Sequence, residues 1–261
     1  MAEKTSKWAL ILGGSTGLGL ATASKLARHG FNLLILHRDR RADMVEIEKN
    51  FDALEKYGAK VHAFNVDAIN SAKILETLPK LSSILKNEKI DLLIHSIAKG
   101  NLKPMYSQDT RVLSSLDFQH TINAMGINLY EWTQALVQHE LFADDSRIIA
   151  FTSEGSTKAW TGYAAVSAAK ATLESIVRSM AFEFAPLGIK VNCVQAGITQ
   201  TRSFQMIPNS EALKLQAKAK NPFKRLTTPE DVANVVYLLT LEEAKWINGT
   251  ILKVDGGESL Q

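Results

Sequence analysis

The sequence predicts an α/β fold: a doubly wound parallel sheet in one domain spanning residues 1–261, with a helical lid near 198–226. Three observations carry this expectation. Short, continuous apolar runs alternate with stretches of helical character along the chain. The first apolar run feeds directly into a glycine-rich turn. At 261 residues the chain is long enough to bury a full sheet between two helical layers.

The elements follow in order. Trp8-Ala-Leu-Ile-Leu12 reads as a buried strand, Gly13 to Gly19 as a turn, and the residues to about His29 as a helix. Phe31–Leu36 is the second strand, followed by a charged helix over about 41–57. Lys60–Phe64 is the third strand, with a helix over about 71–86. Ile90–His95 is the fourth, before a long helix over about 115–139. Ser146–Phe151 and the helix 163–185 come next, then Ile189–Val194 and finally Thr250–Val254. Uniformly apolar strands between helices belong to parallel sheets covered on both faces. Right-handed crossovers then give the doubly wound arrangement. The segment 198–226 holds Pro208, Asn209, Pro222 and two short helical patterns. It follows a strand at the sheet's carboxyl edge, where ligand-covering segments lie; a plain surface excursion is the alternative. The chain has no internal repeat, low-complexity tract or linker.

Composition narrows the function classes. Apolar residues make up 46% and charged residues 22%, as in ordinary globular chains. The net charge of +3 gives no general attraction to nucleic acid. A single cysteine, Cys193, excludes an intrachain disulfide and fits a reducing compartment. Its strand-like neighbours mark it as an inert core thiol. Met1–Lys7 is polar and lacks the apolar segment of a signal peptide. No run approaches the ~20 apolar residues needed to span a bilayer. The expectation is a cytoplasmic protein with no membrane partner. The six histidines are scattered without ligand spacing, so no metal site is expected.

The turn Gly13-Gly-Ser-Thr-Gly-Leu-Gly19 sits between a strand and a helix. Glycines there let the backbone approach a pyrophosphate, which the helix N-terminus attracts. This is the context of a Rossmann dinucleotide site, with Gly13, Ser15, Thr16, Gly17, Leu18 and Gly19 against the cofactor. The second strand leads into His37-Arg-Asp-Arg-Arg41. An arginine such as Arg38 pairs with a 2′-phosphate that an acid would repel, so NADPH is the expected cofactor. Asp39 keeps an NADH reading open. Val66 is placed to meet the adenine edge, with Asn65 before it.

Tyr163 and Lys170 are separated by six residues. On a helix, positions seven apart lie within ~20° of one another and ~10 Å apart along the axis, so both can face one cleft. Such a gap suits reduction of an α,β-unsaturated thioester. There the hydride enters at the β-carbon, and charge builds on an enolate oxygen farther from the nicotinamide than a ketone oxygen would be. Tyr163 then donates to the enolate oxygen or supplies a proton, and Lys170 holds the nicotinamide ribose.

The spacing of the glycine turn resembles that of the short-chain dehydrogenase/reductase family, and the resemblance extends to Val254-Asp-Gly-Gly257. The family's common catalytic signature is Tyr-x-x-x-Lys. The longer Tyr163…Lys170 gap, His95-Ser-Ile97 and Ala196-Gly197 followed by Thr201 instead resemble the NADPH-dependent enoyl-acyl-carrier-protein reductases. That resemblance implies cofactor contacts from Ser96, Ile97, Ala98, Lys170, Gly197, Thr199 and Thr201. It also implies fatty-acid synthesis as the setting, an acyl thioester on acyl carrier protein as substrate, and a homotetramer. The chain departs from the pattern at Leu12, Asn65 and Ser153, where related chains carry Thr, Asp and a second tyrosine. Ser153 and Ser156 read equally as site residues or loop serines. Asn123 matches a helix asparagine of the ketoreductases or a buried asparagine at a helix bend. His95 reads as a satisfied strand-end histidine near the cleft.

Two other functions stay open: a 3-oxoacyl-acyl-carrier-protein or other carbonyl reductase, and a non-catalytic NADPH-binding sensor. The five basic residues between Lys214 and Arg225 fit either an acidic carrier protein or its phosphopantetheine, or a solvated helix face.

Overall fold

A computed structural model describes residues 6–207 and 209–260. Most of the polar N-terminal stretch, residues 1–5, and Pro208 of the expected lid lie outside the described residues. The seven strands are β1 (Lys7–Leu12), β2 (Phe31–His37), β3 (Val61–Asn65), β4 (Ile90–His95), β5 (Phe142–Ser153), β6 (Ile189–Ala196) and β7 (Ile251–Val254). They form one sheet in the order β3-β2-β1-β4-β5-β6-β7. Every pairing is parallel.

Side chains alternate across a strand, and β1 shows both faces at work. Trp8, Leu10 and Leu12 pack into one apolar layer with Leu78, Trp132 and Leu173. Ala9 and Ile11 face the other layer, among Leu26, Phe51 and Val236. Helices α3 (Ser71–Leu85), α5 (Asn128–Gln138) and α6 (Ala164–Glu183) cover the first face. Helices α1 (Gly17–Arg28), α2 (Met44–Glu55) and α9 (Pro229–Leu238) cover the second. Burial on both sides explains why these strands read as unbroken apolar runs.

Three features differ from the sequence expectations. The helix foreseen over 115–139 is interrupted: α4 (Ser115–Ile122) passes through a π-helical turn, Asn123–Ile127, into α5. Gly126 lies in that turn, where a Cβ would sit 3.2 Å from the Ala169 carbonyl oxygen, so α6 packs unusually close. The fifth strand starts at Phe142, before a register shift opposite Ile90 and Leu92 that the sequence pattern did not mark. Helix α9 had no sequence expectation at all. Its signal was present in Thr228-Pro-Glu-Asp231, which forms a capping box with proline in the first turn.

The segment after β6 carries α7 (Arg202–Gln205) and α8 (Ser210–Lys220). Strand order reverses between β1 and β4, and the crevice at the carboxyl ends of these two strands is the place where such sheets bind ligands.

Candidate active site

The glycine turn is shaped by contacts between backbones. Gly13 has φ +87, and a Cβ there would lie 2.7 Å from the carbonyl oxygen of Ser96 at the end of β4. A Cβ on Gly19 would lie 2.1 Å from the Gly13 carbonyl oxygen. Gly19 therefore closes the turn against itself and does not line the cavity above it. Thr16, at the start of α1, makes no capping bond, and the first turn holds no acidic side chain. The leading amides of α1 are left for an anion.

A cavity of about 440 Å³ opens over this turn. Gly13, Ser15, Thr16, Gly17 and Leu18 form its floor. Arg38 and Val66 come from the ends of β2 and β3, and Ser96, Ile97 and Ala98 from the end of β4. Lys170 and Thr201 close the far side. A dinucleotide fits this donor set: a glycine floor that leaves no room for a side chain, open helix amides, and a cation at the adenosine end.

Arg38 and Asp39 both stand at the adenosine end of this cavity. The Asp39 carboxylate is 2.9 Å from Nδ1 of buried His37. Asn65 accepts from the Asp39 amide at 3.2 Å and donates to its carbonyl at 3.1 Å. An aspartate at position 65 could not do both, which gives the Asn65 departure a structural reason. Asp39 thus bonds to His37 and Asn65 while lining the cavity beside Arg38. Arg38 is 61% exposed and lies 3.2 Å from Asp67, which also has Lys99 at 4.0 Å.

A second cavity, about 370 Å³, adjoins the first and shares Leu18, Ala98, Lys170 and Thr201 with it. Tyr163 and Lys170 both line it. Tyr163 precedes the first turn of α6, and its ring meets Trp160 edge-on at 5.0 Å between centroids. Gly155 leaves room for that ring, since a Cβ there would be 2.4 Å from it. Ser167 donates to the Gly155 carbonyl and ties α6 to this loop. Burial pushes the Tyr163 phenol above its ordinary value, and the Ser153 hydroxyl works against that shift. Lys170 donates to the Phe151 carbonyl oxygen at 2.8 Å. Burial lowers its ammonium to about 8, against opposing pulls from Cys193 and Glu174. Cys193 is fully buried and raised to about 12 by burial, as an inert core thiol would be.

The remaining wall combines expected and unexpected residues. Gly197 and Thr199 line the second cavity, and the Thr199 hydroxyl donates to the Gly197 carbonyl at 2.9 Å. Thr201 accepts from the Phe204 amide at 3.2 Å and caps α7. The 198–226 segment contributes Phe204, Met206, Ile207 and Leu213, the apolar cover of a lid. Sequence reasoning missed Trp160 and Gly155, and it missed the C-terminal turn that adds Asp255 and Glu258. Glu258 is buried, accepts from the Ile198 amide at 3.3 Å, and is raised by burial. The Val254-Asp-Gly-Gly257 turn, known only as an end point, was its one visible signal.

His95 falls differently from expectation, and Asn123, Ser153 and Ser156 each carry two readings from the sequence. His95 is 1% exposed, and no hydrogen bond of good geometry reaches either ring nitrogen among the described residues, although the Asn128 side chain lies beside it, so the satisfied histidine foreseen is met only in part. Burial and the charge of Lys170 lower it to about 3, with Asn128 opposing. Asn123 starts the π-helical turn and lines neither cavity, which favours its helix-bend reading. Ser153 lines the second cavity and accepts from the Gly155 amide at 3.1 Å, whereas the Ser156 hydroxyl is buried away from it.

Known proteins place this site in a family. A family profile described as enoyl-(acyl carrier protein) reductase matches residues 13–259. The chain belongs to the short-chain dehydrogenase/reductase family of oxidoreductases, which work with a nicotinamide cofactor. It is 30% identical to oxidoreductase UcpA of Salmonella typhimurium, over 100% of this chain and 97% of that one. It is 28% identical to 1-cyclohexenylcarbonyl-CoA reductase of Streptomyces collinus, over 96% and 86%. It is also 28% identical to the 3-oxoacyl-[acyl-carrier-protein] reductase of Aquifex aeolicus, over 96% of each chain. Its fold matches a Burkholderia cenocepacia short-chain dehydrogenase in complex with NADP, with TM-score 0.82, 25% identity and 98% of each chain covered. Among the described residues, no helix is long and apolar enough to cross a membrane.

Proposed function

We propose that the protein is an NADPH-dependent enoyl-thioester reductase that saturates the conjugated double bond of a trans-2-enoyl chain. One observation carries this reading. Tyr163, seven residues before Lys170, lines the same cavity, whereas the place of a Tyr-x-x-x-Lys tyrosine is taken by Val166. A carbonyl reductase needs a hydroxyl donor at that nearer place, and Val166 has none. The similarity to 1-cyclohexenylcarbonyl-CoA reductase supports a conjugated thioester as substrate. That to a 3-oxoacyl reductase keeps carbonyl reduction as the rival.

When bound, NADPH supplies the hydride. Tyr163 donates its phenolic hydrogen to the thioester oxygen as enolate charge develops there. The high phenol pKa keeps that hydrogen in place through the neutral range. Lys170, buried at the junction of both cavities, holds the nicotinamide ribose and favours negative charge at the oxygen. Arg38 receives the 2′-phosphate in exchange for Asp67, a surface pair worth no more than about 1 kcal/mol. The pairing of the Asp39 carboxylate with His37 supports NADPH over NADH. The lid apolar residues Phe204, Ile207 and Leu213 enclose the acyl chain and exclude water.

The wider setting belongs to the same proposal. Lys214, Lys218, Lys220, Lys224 and Arg225 lie on and after α8, beside the lid, where an acidic acyl carrier protein would approach. Exposed Phe182 and Trp246, 85% and 95% accessible, support a homotetramer. Fatty-acid synthesis in the cytoplasm is the setting proposed. The deciding assay follows NADPH oxidation with crotonyl- and acetoacetyl-thioesters. Turnover of crotonyl substrate is expected. Turnover of the keto substrate alone would make the protein a carbonyl reductase, and tight NADPH binding without any turnover would make it a sensor.

A further inference from the structure

Two arginines from distant parts of the chain line the dinucleotide cavity, each beside a carboxylate. Arg38 rises from the end of β2, next to Asp67. Arg202 is the first residue of α7. Its Nη1 lies 3.5 Å from Oδ2 of Asp43, in the short turn Arg41–Asp43 before α2. The pair joins residues 159 positions apart and spans from the lid to the β2 side of the cavity. The chain that delivers Arg202 runs over the glycine turn: a Cβ on Gly17 would lie 3.5 Å from Cγ2 of Thr201. Thr201 thus lies over the start of α1, and Arg202, the next residue, lines the same cavity.

The hold on Arg202 is weak. Its side chain is 63% exposed, that of Asp43 35%, and the one contact is long. Exposed pairs of this kind contribute little to stability. A phosphate offers the guanidinium shorter, bidentate, charge-assisted bonds.

We propose that Arg202 is a further cofactor-binding residue: its guanidinium leaves Asp43 for the pyrophosphate of the bound dinucleotide and draws the lid segment over the cavity. The inference rests on the dinucleotide reading of the cavity, but not on the choice between NADPH and NADH. The passage over Gly17 puts the cation at the pyrophosphate, while Arg38 occupies the adenosine end. Asp43 holds the arginine when no cofactor is present. Binding of the cofactor and ordering of the 198–226 segment are then one event.

The test is equilibrium binding to the full chain, read by nicotinamide fluorescence for NADPH and NADH, with 2′-AMP as a competitor that lacks the pyrophosphate. Arg202→Gln is expected to weaken NADPH and NADH alike, by about tenfold, for the loss of one charge-assisted contact. It should leave 2′-AMP binding unchanged and flatten the salt dependence of NADPH affinity. Asp43→Asn should tighten both dinucleotides by about two- to threefold, since it removes the competing carboxylate. In hydrogen exchange, NADPH should slow the amides of 198–226 in the wild type and less in Arg202→Gln. Unchanged affinity in Arg202→Gln overturns the inference. So does a loss confined to NADPH, which would put the guanidinium on the 2′-phosphate. So does an equal loss in Asp43→Asn, which would make the pair structural, or equal slowing of exchange in both proteins. Equal wild-type affinity for NADPH and NADH would instead remove the NADPH reading while the inference about Arg202 stands. Failure of every nucleotide to bind would remove both.

Discussion

The dinucleotide half of the cleft has a floor of backbone, whereas the substrate half is walled by side chains. Around Gly13 and Gly19, added Cβ atoms would strike carbonyl oxygens of neighbouring turns and strands. Around Tyr163, the walls are the tips of Trp160, Phe204, Met206 and Ile207. A backbone floor cannot give way, so this half tolerates little change. Side-chain walls can repack, so substrate preference is free to vary while cofactor geometry is kept. Lys170 stands where the halves meet and belongs to both.

The largest expected effect tests the chemical end of that comparison. Tyr163→Phe keeps the ring against Trp160 and removes only the hydroxyl. kcat should fall by about 10²–10⁴-fold, the usual contribution of a positioned acid, with NADPH affinity within about twofold of wild type. Steady-state kinetics beside fluorescence titration separates the two quantities. A variant that keeps its kcat would remove Tyr163 from the chemistry.

Gly13→Ala tests the rigid half. A side chain at φ +87 carries about 1–3 kcal/mol of strain, and its Cβ must also push the Ser96 carbonyl aside. Dinucleotide affinity should fall by about ten- to a hundredfold, because the turn must open to relieve the clash. Phe204→Ala is the matched change in the other half. It should raise KM for the thioester and leave dinucleotide affinity unchanged. Equal loss of dinucleotide affinity in both variants would erase the distinction between the halves.

The same contrast explains how much of the site was legible in the sequence. Glycine spacing reports backbone geometry directly, so the floor from Gly13 to Leu18 could be read residue by residue. Gly19 was misplaced because a glycine required by close packing looks, in sequence, like one required by a ligand. The sheet was legible because strands buried on both faces are uniformly apolar. Helix α9 had a legible start in its capping box but went unassigned. Trp160 and Glu258 reach the cavity, and Gly155 the Tyr163 ring, through tertiary packing of loops, and no local pattern marks them. Asn65 reads as a departure without a reason and Asp39 as an open alternative, because their mutual hydrogen bonds exist only once β2 and β3 lie side by side.

The junction between the halves has a pH signature. Lys170 is charged below its pKa of about 8 and loses its charge above it, because burial penalises the ammonium. The cationic form favours charge on the substrate oxygen, so kcat/KM should be level from pH 6.5 to 7.5 and decline above about 8. The slope should approach about tenfold per pH unit, because kcat/KM reports groups of the free enzyme. A profile that is flat to pH 10 would show that the lysine charge is not needed in the rate-determining step.

The smallest effect at neutral pH is expected from the floor beneath both halves, and it is a matter of stability rather than turnover. His95 ends β4 under the cleft, facing Lys170 of α6 and Asn128 of α5, with no hydrogen bond of good geometry to its ring nitrogens among the described residues. The folded protein holds it neutral down to about pH 3, whereas the unfolded chain protonates it near the ordinary 6.5. The unfolded state therefore binds more protons between these values, and stability is lost as pH falls from 6.5 toward 3, by up to about 1.4 kcal/mol per unit. Asp117, Asp145 and Asp231 are lowered to about 2 by hydrogen bonds from Ser114, Arg147 and Arg225 respectively. Their stabilisation is present above the ordinary carboxylate range and is lost as pH drops toward 2, so wild type and variant share it. His95→Asn removes only the histidine's share. Urea unfolding at pH 7 should differ little between the two proteins, and the midpoint of the variant should decline less steeply between pH 6.5 and 4.5. Parallel declines would mean that the His95 ring finds a proton acceptor in the folded protein, and that the floor of the cleft is less dry than its burial implies.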